Sequence, residues 1–170
     1  KLKNKITNKI VIKYFVTFFG TGLVPKFQGT VATFASSIIF YFLIIFLNLN
    51  VLSLVVFSLL FFLVSIKLVN LYQLGSSEHD PKEIVVDEVL GTIIFLLALP
   101  ISVNKLAYIF FGFIIFRALD YLKPSVIYRF QCQETNLSIL LDDIMAALFT
   151  LLIVLSLDLN GMLDGFFKFT

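Results

Sequence analysis

IVVDEVLGTIIFLLALP, residues 84–100, is apolar throughout except for Asp87 and Glu88 near its start. A second run, SILLDDIMAALFTLLIVLSL at 138–157, repeats the pattern around Asp142 and Asp143. A carboxylate set against lipid costs roughly 2.5–3.5 kcal/mol on insertion scales, so each must be paired, bound to a metal or turned toward water. Two acidic pairs at the mouths of two apolar helices predict a place where something cationic is held.

The remainder of the chain reads as membrane-embedded. It is 59% hydrophobic and 14% charged, against about 45–50% and about 25% for a soluble domain. The expected fold is all-α, a polytopic helical membrane bundle of about five apolar helices. These fall at about 31–47, 51–74, 84–99, 105–122 and 138–157. A full crossing takes roughly 17–25 residues, so the third and fourth are short or dip partly into the site. Segment 9–19, with Lys9 and Lys13, is expected to be an N-terminal interfacial helix. The basic start lacks a small-residue cleavage site after its apolar stretch and reads as retained. Asn48-Leu49-Asn50 predicts a tight turn, and Pro100 and Pro124 predict the ends of the third and fourth helices. No polar linker or repeat divides residues 1–170, which read as a single domain. No dense basic block occurs, which argues against nucleic acid as a partner. The single cysteine, Cys132, excludes an internal disulfide or a cysteine metal cage.

Threading the helices alternately through a bilayer sorts the charges. One side receives Lys1, Lys3, Lys5, Lys9, Lys13, Lys26, Lys67, Lys82, Arg117, Lys123 and Arg129, and the other only Lys105 and Lys168. Such a bias predicts that the first side is cytoplasmic. Both acidic pairs fall on that side, with Glu78, Asp80, Glu83, Asp120 and Glu134.

Four clusters on that face carry candidate chemistry. In FFGTGLVPKFQGTVAT, residues 18–33, Gly20, Gly22, Pro25 and Gly29 are expected to interrupt a helix, and Thr30 or Thr33 to start the next. Amides at a helix start, with Lys26, suit an anion such as phosphate; the plainer reading is a re-entrant turn. In SSEHDPKEIVVDEVLG, residues 76–91, the lone His79 stands beside Asp80, ahead of Asp87 and Glu88. Their oxygens suit Mg²⁺. Neighbouring helical residues point about 100° apart, so only one of Asp87 and Glu88 is expected to face the ion directly. In FRALDYLKP, residues 116–124, Arg117, Asp120 and Lys123 follow one helical face. They form either an ion-pair ladder or a metal contact at Asp120 with two cations for phosphate oxygens. In LLDDIMAA, residues 140–147, the acids are either ligands or partners of Arg117 or Lys123.

In their order, GTGLVPKFQGTVAT, HDPKEIVVDEVLG, FRALDYLKP and LLDDIMAA resemble the bacterial phosphatidylglycerophosphatase A family over roughly residues 14–157. Gln28 and Ala147 depart from the family pattern, which usually has Pro and Gly there. The resemblance implies a bacterial cytoplasmic-membrane hydrolase, a Mg²⁺-dependent phosphoric monoester hydrolase that converts phosphatidylglycerol phosphate to phosphatidylglycerol. On this chain it implies metal ligands among Asp80, Asp87, Glu88, Asp120, Asp142 and Asp143, with Asp87, Asp120 and Asp142 also catalytic. Arg117, Lys123, Lys26 and Thr30 would bind the substrate phosphate, and His79 would protonate the leaving oxygen. A metal-activated water is the expected nucleophile, with an aspartate as the alternative. The competing reading from another class is a small ion- or proton-coupled transporter using the same carboxylates.

Overall fold

A computed structural model describes residues 2–73, 83–122 and 138–166; His79, Asp80 and Lys123, with Lys82, Pro124 and Cys132, lie outside the described residues. The described chain is all-α. Its helices are α1 (Leu2–Val16), α2 (Gln28–Phe46), α3 (Val51–Gln73), α4 (Val86–Phe95), α5 (Lys105–Leu122) and α6 (Ser138–Leu159), with 3₁₀ turns at Thr21–Leu23 and Leu96–Ile101.

The turn between α2 and α3 is written in its asparagines. Asn48 takes the left-handed conformation with φ 48°. The Leu49 amide donates to the Ile44 carbonyl and the Asn48 amide to that of Ile45, so the orphan carbonyls of α2 are satisfied in a Schellman arrangement. Asn50 then caps α3, its Oδ1 accepting from the Ser53 amide at 2.8 Å. Asn104 starts α5 in the same way, accepting from the Ala107 amide at 3.1 Å.

Of the about five expected apolar spans, three described helices are long and apolar enough to cross a membrane: Gln28–Phe46, Val51–Gln73 and Leu140–Leu159. α4 and α5, the two segments that the sequence predicts to be short of a full crossing, are the departures. α5 carries Lys105, Arg117 and Asp120 within its 18 residues, and α4 is shorter still. Its 10 residues rise only about 15 Å, half of a hydrocarbon core about 30 Å thick. Every residue from Val89 to Leu96 is buried, which makes α4 the central helix rather than a lipid-facing one. Its α-helix stops at Phe95, five residues before Pro100, because proline lacks the amide for the last turn and clashes with it. The chain continues as 3₁₀, and the buried Tyr108 hydroxyl donates to the Phe95 carbonyl at 2.9 Å. Around this axis the outer helices turn Phe42, Phe46, Leu52, Leu63 and Leu152 outward, an apolar exterior matched to lipid.

α4 and α5 approach through glycine. A Cβ on Gly91 would stand 2.5 Å from the Phe116 ring, and one on Gly112 would stand 2.8 Å from the Phe95 ring. The two rings lie 5.6 Å apart between the helices, both without exposed surface. Gly91→Ala is therefore expected to destabilise the fold by about 1–3 kcal/mol through overpacking. Thermal melting in detergent reads this, and Phe116→Leu in the same chain should recover part of the loss. An unchanged melting temperature would mean that the rings have room to move.

α1 runs from residue 2 to residue 16, where the sequence predicts a helix over 9–19. It ends early because Phe18, Phe19 and Gly20 take positive φ and turn the chain back. Helix α2 begins at Gln28, with neither Thr30 nor Thr33 as its cap. Phe27 stands at the cap position with φ 58° and no side-chain hydrogen bond, and the Thr33 hydroxyl donates back to the Gly29 carbonyl at 2.8 Å. Gly29 thus lies inside the helix, not in the loop that its composition predicts.

Candidate active site

The start of α4 is fixed from three sides. The Val85 amide donates to the Val16 carbonyl at 3.0 Å. Gly22 lies flat on the Glu83 backbone, where a Cβ would meet the carbonyl oxygen at 2.1 Å. Glu83 accepts from the Tyr72 hydroxyl of α3 and pairs with Lys13 of α1 at 3.3 Å. Glu83 is thus a tether between α1, α3 and the head of α4. So anchored, the first turn of α4 presents Asp87 and Glu88.

α6, the main packing partner of α4, brings Asp143 against them. One carboxylate oxygen from each of Asp87, Glu88 and Asp143 lies within 4.8 Å of the others. Only one of the two adjacent acids of α4 was expected at a common point; both reach it, since the longer Glu88 side chain offsets the angle between them. Asp87 Oδ1 accepts from the Glu88 amide at 3.0 Å, and Asp142 Oδ1 accepts from the Asp143 amide at 3.1 Å. Asp142 is buried beside the trio and is not one of its three members.

α5 supplies the third wall. Arg117 Nη1 and Asp120 Oδ2 are 2.8 Å apart, an i, i+3 pair. Nη1 is buried, and the pair is a close charge-assisted contact. Asp120 also lies near Asp143, and Arg117 stands beside Glu88. The Arg117–Asp120 step of the expected ladder is present, Lys123 lies outside the described residues, and Asp120 is not one of the three converging acids. From α2, Gly29 closes the cluster: a Cβ there would meet Glu88 Oε1 at 2.1 Å and Arg117 Nη1 at 3.2 Å. A buried chain ties this wall down, with the Ser36 hydroxyl donating to Thr92 Oγ1 at 3.0 Å and Thr92 to the Glu88 carbonyl at 2.9 Å. Neither Gly29 nor the Ser36–Thr92 link is marked in the sequence as part of a site.

Thr30 sits half-buried in the first turn of α2 next to Gly29, and Lys26 is exposed in the loop before it. Among the described residues, Asp87, Glu88, Asp120 and Asp143 thus face a single guanidinium, Arg117. Burying like charges together is costly unless a cation joins them. The donor set fits one: three hard oxygens converge, and Glu88 Oε2 is buried without a hydrogen-bond partner. Asp87, Glu88 and Asp143 would hold a hard dication through these oxygens.

Comparison with known proteins agrees with this geometry. Residues 14–158 match the family model of phosphatidylglycerophosphatase A. The chain is similar to the phosphatidylglycerophosphatase A of Haemophilus influenzae, 31% identical over 140 residues, with 82% of this chain and 83% of the relative covered. It is 37% identical over 129 residues to the Escherichia coli phosphatidylglycerophosphatase A, covering 75% and 72% of the two chains. A Bacteroides thetaiotaomicron protein, provisionally described as a phosphatidylinositol-3-phosphatase, is 32% identical over 143 residues, covering 81% and 87%. No solved structure matches. The match takes in all four motif segments and every wall of the carboxylate cluster, and the chain belongs to the phosphatidylglycerophosphatase A family of lipid phosphatases.

Proposed function

We propose that this chain removes the terminal phosphate of phosphatidylglycerol phosphate, with Mg²⁺, at the cytoplasmic face of a bacterial membrane, from one domain. The observation that carries this reading is the convergence of Asp87, Glu88 and Asp143 within 4.8 Å, beside Arg117, at one end of an apolar bundle. Asp87, Glu88 and Asp143 would hold the ion, with Asp120 and Asp142 next to them and Asp80 as a further ligand. Bound there, Mg²⁺ would neutralise phosphoryl oxygens and activate the attacking water.

The residues of the chain do the rest. Arg117 lies against the cluster beside Glu88, so it is placed to grip a nonbridging oxygen. Asp120 holds Arg117 in register. Thr30 and the uncapped first amides of α2 favour the anionic group, with Lys26 and Lys123 adding charge from the flanking segments. His79 would give the proton to the leaving glycerol oxygen. The Lys and Arg bias toward the same end supports the cytoplasmic placement. Membership in an enzyme family leaves the transporter reading without support.

Headgroup choice is the finer question, since a relative of comparable identity carries the name of an inositol-lipid phosphatase. Phosphate release is measured in detergent micelles from phosphatidylglycerol phosphate, phosphatidate and phosphatidylinositol 3-phosphate, with Mg²⁺ and with EDTA. The expected result is Mg²⁺-dependent release selective for phosphatidylglycerol phosphate. Faster release from either other lipid would replace the substrate, and undiminished release in EDTA would remove the metal from the reaction.

A further inference from the structure

Below the carboxylate cluster, α2 and α5 run antiparallel and share one seam. At its head, Gly29 lies against Glu88 and Arg117. One turn deeper, the Phe34 and Phe113 rings meet edge to face with centroids 6.0 Å apart. At and beyond this ring pair is a groove of about 270 Å³, lined by Phe34, Ser37 and Ile38 of α2 and by Leu106, Phe110 and Phe113 of α5. At 1.5 Å per residue it starts roughly 6–8 Å from the head of the seam and ends roughly 14–17 Å from it. That is the depth of one leaflet of a hydrocarbon core about 30 Å thick.

We propose that this groove seats part of one acyl chain of the phospholipid substrate and thereby aims its terminal phosphate at the carboxylate cluster. The inference rests on the lipid phosphatase reading above. Four observations choose the occupant. The groove continues the phosphate site along the same two helices. Its lining is apolar apart from Ser37, a small residue, 3% exposed, whose hydroxyl has no hydrogen-bond partner and whose size leaves the space open. Its volume falls below the roughly 300–1,000 Å³ that encloses a whole small ligand, as suits a segment of one chain. Its outer rim of Phe34, Ile38, Leu106 and Phe110 is exposed toward lipid, so a chain can enter sideways. Lipid tails already surround the protein, so seating one gains little hydrophobic energy. The gain is orientation: the chain holds the phosphate within reach of the reacting groups.

The test uses the full chain in lipid nanodiscs and phosphatidylglycerol phosphate with a diazirine midway along one acyl chain. After irradiation, label is expected to concentrate on the peptides bearing Phe34, Ile38, Leu106 and Phe110. Excess unlabelled substrate should lower it several-fold, and excess phosphatidylcholine should leave it unchanged. Two variants plug the groove, Ser37→Phe at its floor and Leu106→Trp at its deep end. Leu106 is 48% exposed, so its replacement leaves the core intact. Each is expected to lower kcat about tenfold on the long-chain substrate and to leave a short-chain soluble analogue within about twofold. Label spread evenly over the outer faces of α3 and α6, or displaced equally by phosphatidylcholine, overturns the proposal, as does equal loss on both substrates in Leu106→Trp. Concentrated label without any hydrolysis by the unaltered protein overturns the phosphatase reading instead and keeps the groove as a lipid seat.

Discussion

Asp143→Asn is expected to lower phosphate release by about 10³-fold or more, the scale of losing a charge-bearing group that acts on the transition state. The same substitution should leave the protein as stable as before, or more so, when no metal is added. Asparagine keeps the shape of the buried side chain and removes one member of a group of acids whose other members are Asp87, Glu88, Asp120 and Asp142. Buried acids held together repel one another or must take up protons, and either is unfavourable to the fold. The two effects have opposite signs because a group of acids that serves a cation is a burden to the fold without one. Thermal melting with and without Mg²⁺ separates them. The unaltered protein should gain stability as Mg²⁺ is added, by about 2.7 kcal/mol at a hundredfold excess over its dissociation constant. Asp143→Asn should not respond. Asp87→Asn is expected to behave alike, since it gives up an oxygen of the same trio. A variant that lost activity and melted lower without metal would show that Asp143 holds the fold together, and one with full activity would remove it from the site.

The carboxylates were legible in the sequence because an acid within an apolar run has a one-dimensional signature. Asp87, Glu88 and Asp143 carry it, and the structure gathers all three. The limits of α5 at 105 and 122 were legible as well, with Asn104 capping its start. That the segment of α4 falls short of a full crossing was legible too, but its place at the centre of the bundle was not. A continuous apolar run reads the same whether it crosses lipid or fills the centre of a bundle, since periodicity vanishes in both cases. Only its packing against α2, α3, α5 and α6 distinguishes them. Gly29 escaped for a related reason. In sequence, a glycine after Pro25 and Lys26 reads as loop; its role depends on how closely Glu88, 59 positions later, approaches its Cα. Close approach between helices leaves no local pattern, and the Ser36–Thr92 hydrogen bond was hidden in the same way.

Gly29→Ala is expected to give a folded protein whose phosphate release falls about 10²-fold, the cost of displacing a reacting group by about 1 Å. The added Cβ would lie 2.1 Å from Glu88 Oε1, 3.0 Å from Glu88 Cδ and 3.2 Å from Arg117 Nη1. What must yield is the ends of two flexible side chains, unlike the locked Phe116 ring over Gly91. Alanine also favours a helix over glycine by about 1 kcal/mol, so the melting temperature should hold or rise slightly. The damage falls on the site: Glu88 is pushed away from Asp87 and Asp143, and the Mg²⁺ concentration giving half-maximal activity should rise about tenfold or more. A double-mutant cycle with Glu88→Asp gives the sharper test. Aspartate is one methylene shorter, so it withdraws the carboxylate from the space that the new Cβ needs. Alone, Glu88→Asp should lose activity by pulling an oxygen out of the cluster. Combined with Gly29→Ala, it should lose less than the two single losses together, because the clash that alanine creates is gone. Strictly additive losses would mean that Gly29 acts elsewhere than on Glu88, and that the close approach of α2 has no part in holding the carboxylate in place.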